Sequence, residues 1–335
     1  MSALPETPAR RRLRRFALAA VVTNLIIVVT GASVRVTGSG LGCPTWPSCD
    51  GERLVPSAEH GWHGALEFGN RLLTFPVLAA AVAVVVWLYL TRPHPPALMR
   101  FAWVLPIGVA GQVLLGGITV LSGLTPITVA GHFLLSMVLI LAAVTVHEMS
   151  RPGREREPRV GPSLRHLTTA VAIVGLIVLV LGTVTTSAGP HGGDVNAPRL
   201  DLDIRLAALA HADAVWLLLG LTVALVLVTW RLGPSRLRAA ARALLAIVLL
   251  QGAIGYTQYA LGVPEPLVIL HVAGAAAMWA TASAAWIRAR PELGARPDVS
   301  GWSEPDEAGR RDHDAESVAD AGPSAAASDE VASPR

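Results

Sequence analysis

The feature that most constrains this chain is a series of apolar runs, each long enough to cross a lipid bilayer and parted from the next by a polar segment. A crossing helix needs about 20 predominantly apolar residues, and such runs occur at roughly 16–37, 68–91, 99–122, 126–148, 167–188, 206–230, 241–262 and 266–287. The third and fourth merge into one stretch without charge over 101–146, too long for a single span and broken by Gly123 and Pro126, so a tight hairpin is expected there. Backbone groups in hydrocarbon must be satisfied within their own segment, and these runs are continuous rather than alternating, so helices are expected and barrel strands are not. With 52% hydrophobic and 15% charged residues, the chain reads as an all-α integral membrane protein of eight transmembrane helices.

The 27 basic residues are all arginine, and the formal net charge is +3. They lie mostly in connections, which speaks for membrane orientation and against nucleic acid as a partner. Arg10, Arg11, Arg12, Arg14 and Arg15 precede the first span. Arg92 and Arg100, then Arg151, Arg154, Arg156, Arg159 and Arg165, then Arg231, Arg236 and Arg238, then Arg288 and Arg290 mark every second connection. By the positive-inside rule these connections and both termini face the cytoplasm, while 38–66, 123–125, 189–204 and 263–265 face outward. The first run lacks a cleavage site of the usual form and is expected to remain as the first span. The expected organisation is a basic N-terminus (1–15), a four-helix half (16–148), a linker (149–166), a second four-helix half (167–288) and a disordered polar tail (289–335).

An internal repeat links the halves. Gln112 lies four residues before Gly116 and twenty before His132, and Gln251 lies four before Gly255 and twenty before His271. Gly31 and Gly38 are seven apart, as are Gly182 and Gly189. Four spans return the chain to its starting side, so this spacing predicts two pseudo-symmetric four-helix bundles in parallel orientation.

Four outward helix ends carry the polar residues. The second span begins with Glu67, Asn70 and Arg71, and the fourth, sixth and eighth carry His132, His211 and His271 at similar depth. Imidazoles within a span are costly in lipid and usually face the bundle interior. One such histidine would most simply be a polar contact; three at a common depth point to a shared task. Two histidines on facing helices can hold haem iron, and His211 with His271 form the expected pair, whereas a closed zinc site would want four N or S ligands. In the first half the matching pair is Asn70 and His132, and an amide is a poor iron ligand. Glu67, three residues before Asn70, could handle protons there, or could simply pair with Arg71 at i,i+4. His63 could be a substitute ligand if its helix starts early, but is expected to be a loop histidine at the interface. Cys43 and Cys49 flank a short outer loop where an oxidising compartment permits a disulfide, acting as a staple or as a redox relay. Trp46 and Trp62 fit interfacial anchors. His60, His94, His147, His166, His191 and His313 are expected to be solvated.

The run Thr37-Gly38-Ser39-Gly40-Leu41-Gly42-Cys43, then Trp46-Pro47 and Cys49, then Glu67-Phe68-Gly69-Asn70-Arg71, with His132, His211 and His271 at three helix ends, resembles the haem A synthase family of bacterial and mitochondrial membranes. The resemblance covers about residues 14–288. It implies oxidation of a methyl group of haem O to a formyl group, giving haem A for terminal oxidases, in a bacterial cell membrane. It further implies a resident haem b on His211 and His271, substrate haem against His132 with Asn70 and Arg71 beside it, Glu67 as the essential acid, and a Cys43–Cys49 disulfide. Asn70 stands where the family usually has histidine, Ala212 where many relatives have arginine, and loop 189–204 lacks the second cysteine pair found in some relatives. Partners would be haem O, a haem O synthase that supplies it and an electron donor, and a homo-oligomer is compatible with the sequence. The competing reading is a non-catalytic dihaem membrane electron carrier of cytochrome b type.

Overall fold

The computed structural model describes residues 7–91, 94–152 and 160–294. The tail beyond 294, with His313, and Arg92, Arg154, Arg156 and Arg159 lie outside them. Among the described residues the structure is helical, with eight spans long and apolar enough to cross a membrane. These are α1 (Pro8–Val36), α2 (Gly61–Leu72) running into α3 (Thr74–Leu90), α4 (Pro96–Leu121), α5 (Pro126–Met149), α6 (Pro162–Ala188), α7 (Ile204–Leu232), α8 (Ser235–Ala260) and α9 (Glu265–Arg288).

Several helices extend past their apolar runs, because helical backbone remains satisfied once the chain leaves hydrocarbon. Proline opens α1, α4, α5, α6 and α9 within their first two positions, where the missing N–H would be unpaired anyway. The basic segment 8–15 therefore belongs to α1. Thr7 caps it by accepting from Arg10 N at 3.3 Å, and buried Arg10 donates from Nε to Ser150 O at 3.0 Å and from Nη2 to Arg151 O at 2.6 Å. Pro162 likewise starts α6 earlier than expected, shortening the linker.

The second span starts earlier still, at a 3-10 turn over Ala58–His60, and is interrupted at Leu73. Pro76 accounts for the interruption, since it cannot donate to Leu72 O and its ring crowds that carbonyl. The kink separates a polar segment carrying His63, Glu67, Asn70 and Arg71 from an apolar one.

Helix adjacency closes two rings, α1–α3–α4–α5 and α6–α7–α8–α9, which meet through α1 with α9, α5 with α9, and α5 with α6. Leu13, Val84, Leu88, Leu105 and Leu139 pack the first ring, and Leu179, Leu225, Leu244 and Trp279 belong to the core of the second. Trp279 Nε1 donates to Met137 O at 2.7 Å across the seam. At the arginine-rich end, Arg288 Nε and Nη2 donate to Glu148 at 3.0 and 2.8 Å, a two-pronged ion pair between α9 and α5. At the other end, Gly40 N donates to Gly193 O at 2.8 Å and Arg35 Nε of α1 to His191 O at 2.8 Å, joining the first connection and the end of α1 to the third connection there.

Candidate functional site

Helix polarity places His132, His211 and His271 in the early turns of α5, α7 and α9, all at the end that carries Cys43 and Cys49. Side chains on a helix lean toward its N-terminus, so each ring reaches outward onto the neighbouring helix. In every case it lands on glycine. A β-carbon built on Gly116 would lie 3.1 Å from His132 Cε1, one on Gly182 3.3 Å from His211 Cε1, and one on Gly255 3.5 Å from His271 Cε1. The fourth position, Asn70, lies against Gly31 in the same way, its Nδ2 3.9 Å from such an atom.

The structure brings His211 and His271 together. Their ring centroids are 6.3 Å apart, with planes at 70°. A metal–imidazole bond is about 2 Å, with roughly 1 Å more from nitrogen to ring centre, so two imidazoles that shared one metal ion could have centres about 6 Å apart, as these do. His211 Nδ1 lies 3.1 Å from Val178 O. A carbonyl only accepts, so Nδ1 carries the proton and Nε2 keeps the lone pair that a metal needs. The donor set fits haem, whose iron His211 and His271 would hold. His271 Nδ1 is buried without a hydrogen-bond partner, as is His132 Nδ1.

The first half is built differently. The Thr30 hydroxyl donates to Asn70 Oδ1 at 2.7 Å, and no hydrogen bond joins Asn70 to His132. Because α2 starts early, His63 sits in its first turn rather than in a loop, with Nδ1 2.8 Å from Ser39 Oγ and its ring stacked on Trp62 at 3.8 Å.

The i,i+4 pair of Glu67 and Arg71 is formed, and it grips the disulfide loop. Cys43 and Cys49 are bonded. Glu67, 5% exposed, accepts from Cys43 N through Oε2 at 2.7 Å and from Arg71 Nε through Oε1 at 3.1 Å. Arg71 also donates to the carbonyls of Cys43, Thr45 and Ser48 at 2.9–3.3 Å. The guanidinium expected beside substrate is therefore directed at loop carbonyls. Asp50 closes the loop by accepting from Arg53 N at 2.7 Å and Glu52 N at 3.1 Å, and these N–H donors, Arg53's first, hold its carboxyl below the usual range. Trp46 lies against α4, where a β-carbon on Gly117 would meet its ring at 2.7 Å, so it packs on the bundle instead of serving only as an interfacial anchor.

Several expected solvated histidines are held. His191 Nε2 lies 2.9 Å from Val263 O, tying two connections, and His60 Nδ1 caps a turn at Ser57. His147 Nδ1 approaches Arg14 O at 3.3 Å. Thr30 carried no sequence signal, and Ser39 stood out only within the Thr37–Cys43 run, because their partners lie on other elements. Gln112 and Gln251 stood out only as repeat markers.

The chain matches the family model for cytochrome oxidase assembly proteins (COX15-CtaA) over residues 14–66 and 64–191, a little more than half its length. It is 32% identical over 177 residues to a protein named heme A synthase from Lysinibacillus sphaericus, covering 51% of this chain and 57% of that relative. A protein of the same name from Symbiobacterium thermophilum is 34% identical over 112 residues, 33% of this chain and 36% of the relative. One named protoheme IX farnesyltransferase from Thermus thermophilus is 33% identical over 124 residues, 36% of this chain and 20% of the relative. The matched segments thus span about half or less of these relatives' own length.

Proposed function

The chain belongs to the cytochrome oxidase assembly protein family, and from that premise we propose that it is a haem A synthase, a membrane oxidoreductase that converts a methyl group of haem O into the formyl group of haem A. The observation that carries this reading is the His211–His271 pair, 6.3 Å apart, with the His211 tautomer fixed by Val178 O. In this reading those two histidines hold a resident haem b, whose iron supplies one-electron redox chemistry when bound. The relatives named heme A synthase support the substrate assignment.

The chain's own groups divide the remaining work. His132 is the strong donor toward substrate haem in the first half, with Asn70 as a neutral neighbour. Glu67 and Arg71 hold loop one across the same helix end, and the buried Glu67 carboxylate is the group assigned to proton transfer. The matching helix adjacencies and glycine seats support two copies of one four-helix unit. The arginine-rich end and both termini face the cytoplasm of a bacterial cell, and the disulfide faces the oxidising side. A haem O synthase is the expected supplier, and the match to a protein named as a protoheme farnesyltransferase supports that class of partner.

A non-catalytic dihaem carrier would need two strong ligands in each half, and Asn70, engaged by Thr30, argues against it. The test is purification after co-expression with a haem O source, followed by an optical spectrum and chromatography of extracted haem. Haem b together with newly formed haem A is expected; a colourless protein would contradict the proposal.

A further inference from the structure

Among the buried side-chain atoms without a hydrogen-bond partner, four fall into two matched sets: Gln112 Oε1 with His132 Nδ1, and Gln251 Oε1 with His271 Nδ1. Each glutamine lies on the helix that seats the corresponding imidazole, one turn from the seating glycine. Gln112 Nε2 donates to His132 O at 3.0 Å and to Ser136 Oγ at 2.7 Å. Since a carbonyl only accepts, the amide nitrogen must face it, and Oε1 is left open to a donor. Gln251 lies against α9 at Gly274, where a β-carbon would fall 1.7 Å from Nε2.

His211 identifies the donor these oxygens await. An imidazole that offers Nε2 to a metal carries its proton on Nδ1, and leaving that N–H buried without an acceptor is costly. For His211 the acceptor is Val178 O, and Val178 stands four residues before the seating Gly182. Gln112 and Gln251 stand four residues before Gly116 and Gly255. The same place on three seating helices therefore carries an acceptor, once from the main chain and twice from a side chain.

Resting on the proposed function, we propose that Gln112 and Gln251 are positioning residues whose amide oxygens accept hydrogen bonds from the Nδ1–H groups of His132 and His271, directly or through one water, and so aim Nε2 at the haem. The acceptor also sets how much electron density the imidazole lends to the metal.

The test compares the purified full-length wild type with Gln251→Met, Gln251→Glu and Gln112→Met, measuring the haem b midpoint potential by optical redox titration and the haem dissociation rate. Gln251→Met, close in volume and lacking the acceptor, is expected to raise the potential and speed haem loss roughly 10- to 100-fold. Gln251→Glu, a stronger acceptor, is expected to lower the potential and retain haem, and Gln112→Met to leave the haem b potential where it is. A packing role alone would not move the two Gln251 variants in opposite directions. Haem b bound with an unchanged potential in both, or both shifted the same way, would overturn the inference while leaving the function intact. A wild type without haem b would instead remove the reading on which it rests.

Discussion

In the second half the histidines of α7 and α9 approach to 6.3 Å, whereas in the first half the glycine-seated side chain of α2 is Asn70, whose amide oxygen accepts from Thr30. The seats are alike, with glycine under all four side chains, so the scaffold alone does not set the difference. What differs is the ligand chemistry and what lies above it. The first half carries the Glu67–Arg71 grip on the disulfide loop, while the connection over the second half is held by the His191 imidazole at Val263 O. In the proposed function, the second half keeps a haem and the first exchanges one.

The largest effects should come from the ligands. His271→Ala is expected to abolish the haem b spectrum, while His132→Ala keeps that spectrum and stops haem A formation; spectra with extracted-haem chromatography separate the two. Loss of haem b in both variants would erase the division of labour. Glu67→Gln is expected to cut haem A formation by roughly 10²- to 10⁴-fold, the usual range for a positioned acid or base, with haem b retained. Normal turnover in that variant would reduce Glu67 to its grip on loop one.

Next come changes that make the halves more alike or disturb one seat. Asn70→His gives the first half two imidazoles, and bound substrate haem should take on a bis-histidine low-spin spectrum and leave more slowly. Gly182→Ala places a methyl group 3.3 Å from His211 Cε1, and haem b affinity should fall about 10- to 100-fold, as for loss of outer-shell support. The smallest effect belongs to Cys43→Ser with Cys49→Ser. Opening so short a loop costs about 2 kcal/mol of stability, readable as a lower thermal midpoint with haem b unchanged.

The spans were legible because bilayer thickness imposes length and arginine imposes side. Helix ends were less so: residues 8–15 are polar yet helical, and Gly61-Trp62-His63 mixes small, aromatic and basic residues with no clear period ahead of the Pro76 kink. His132, His211 and His271 could be read from depth and spacing, since a polar group in an apolar run stands out. The contacts of Glu67 with Cys43 N, Asn70 with Thr30, and His191 with Val263 could not, because each joins elements whose apposition only the folded bundle creates.

The most direct test of the central claim is low-temperature electron paramagnetic resonance of the oxidised, purified protein, compared among wild type, His211→Ala, His271→Ala and His132→Ala. A low-spin bis-imidazole haem signal that vanishes in the first two variants and persists in the third is the expected result. A signal that survives replacement of both His211 and His271 would contradict the assignment of that pair as the haem ligands.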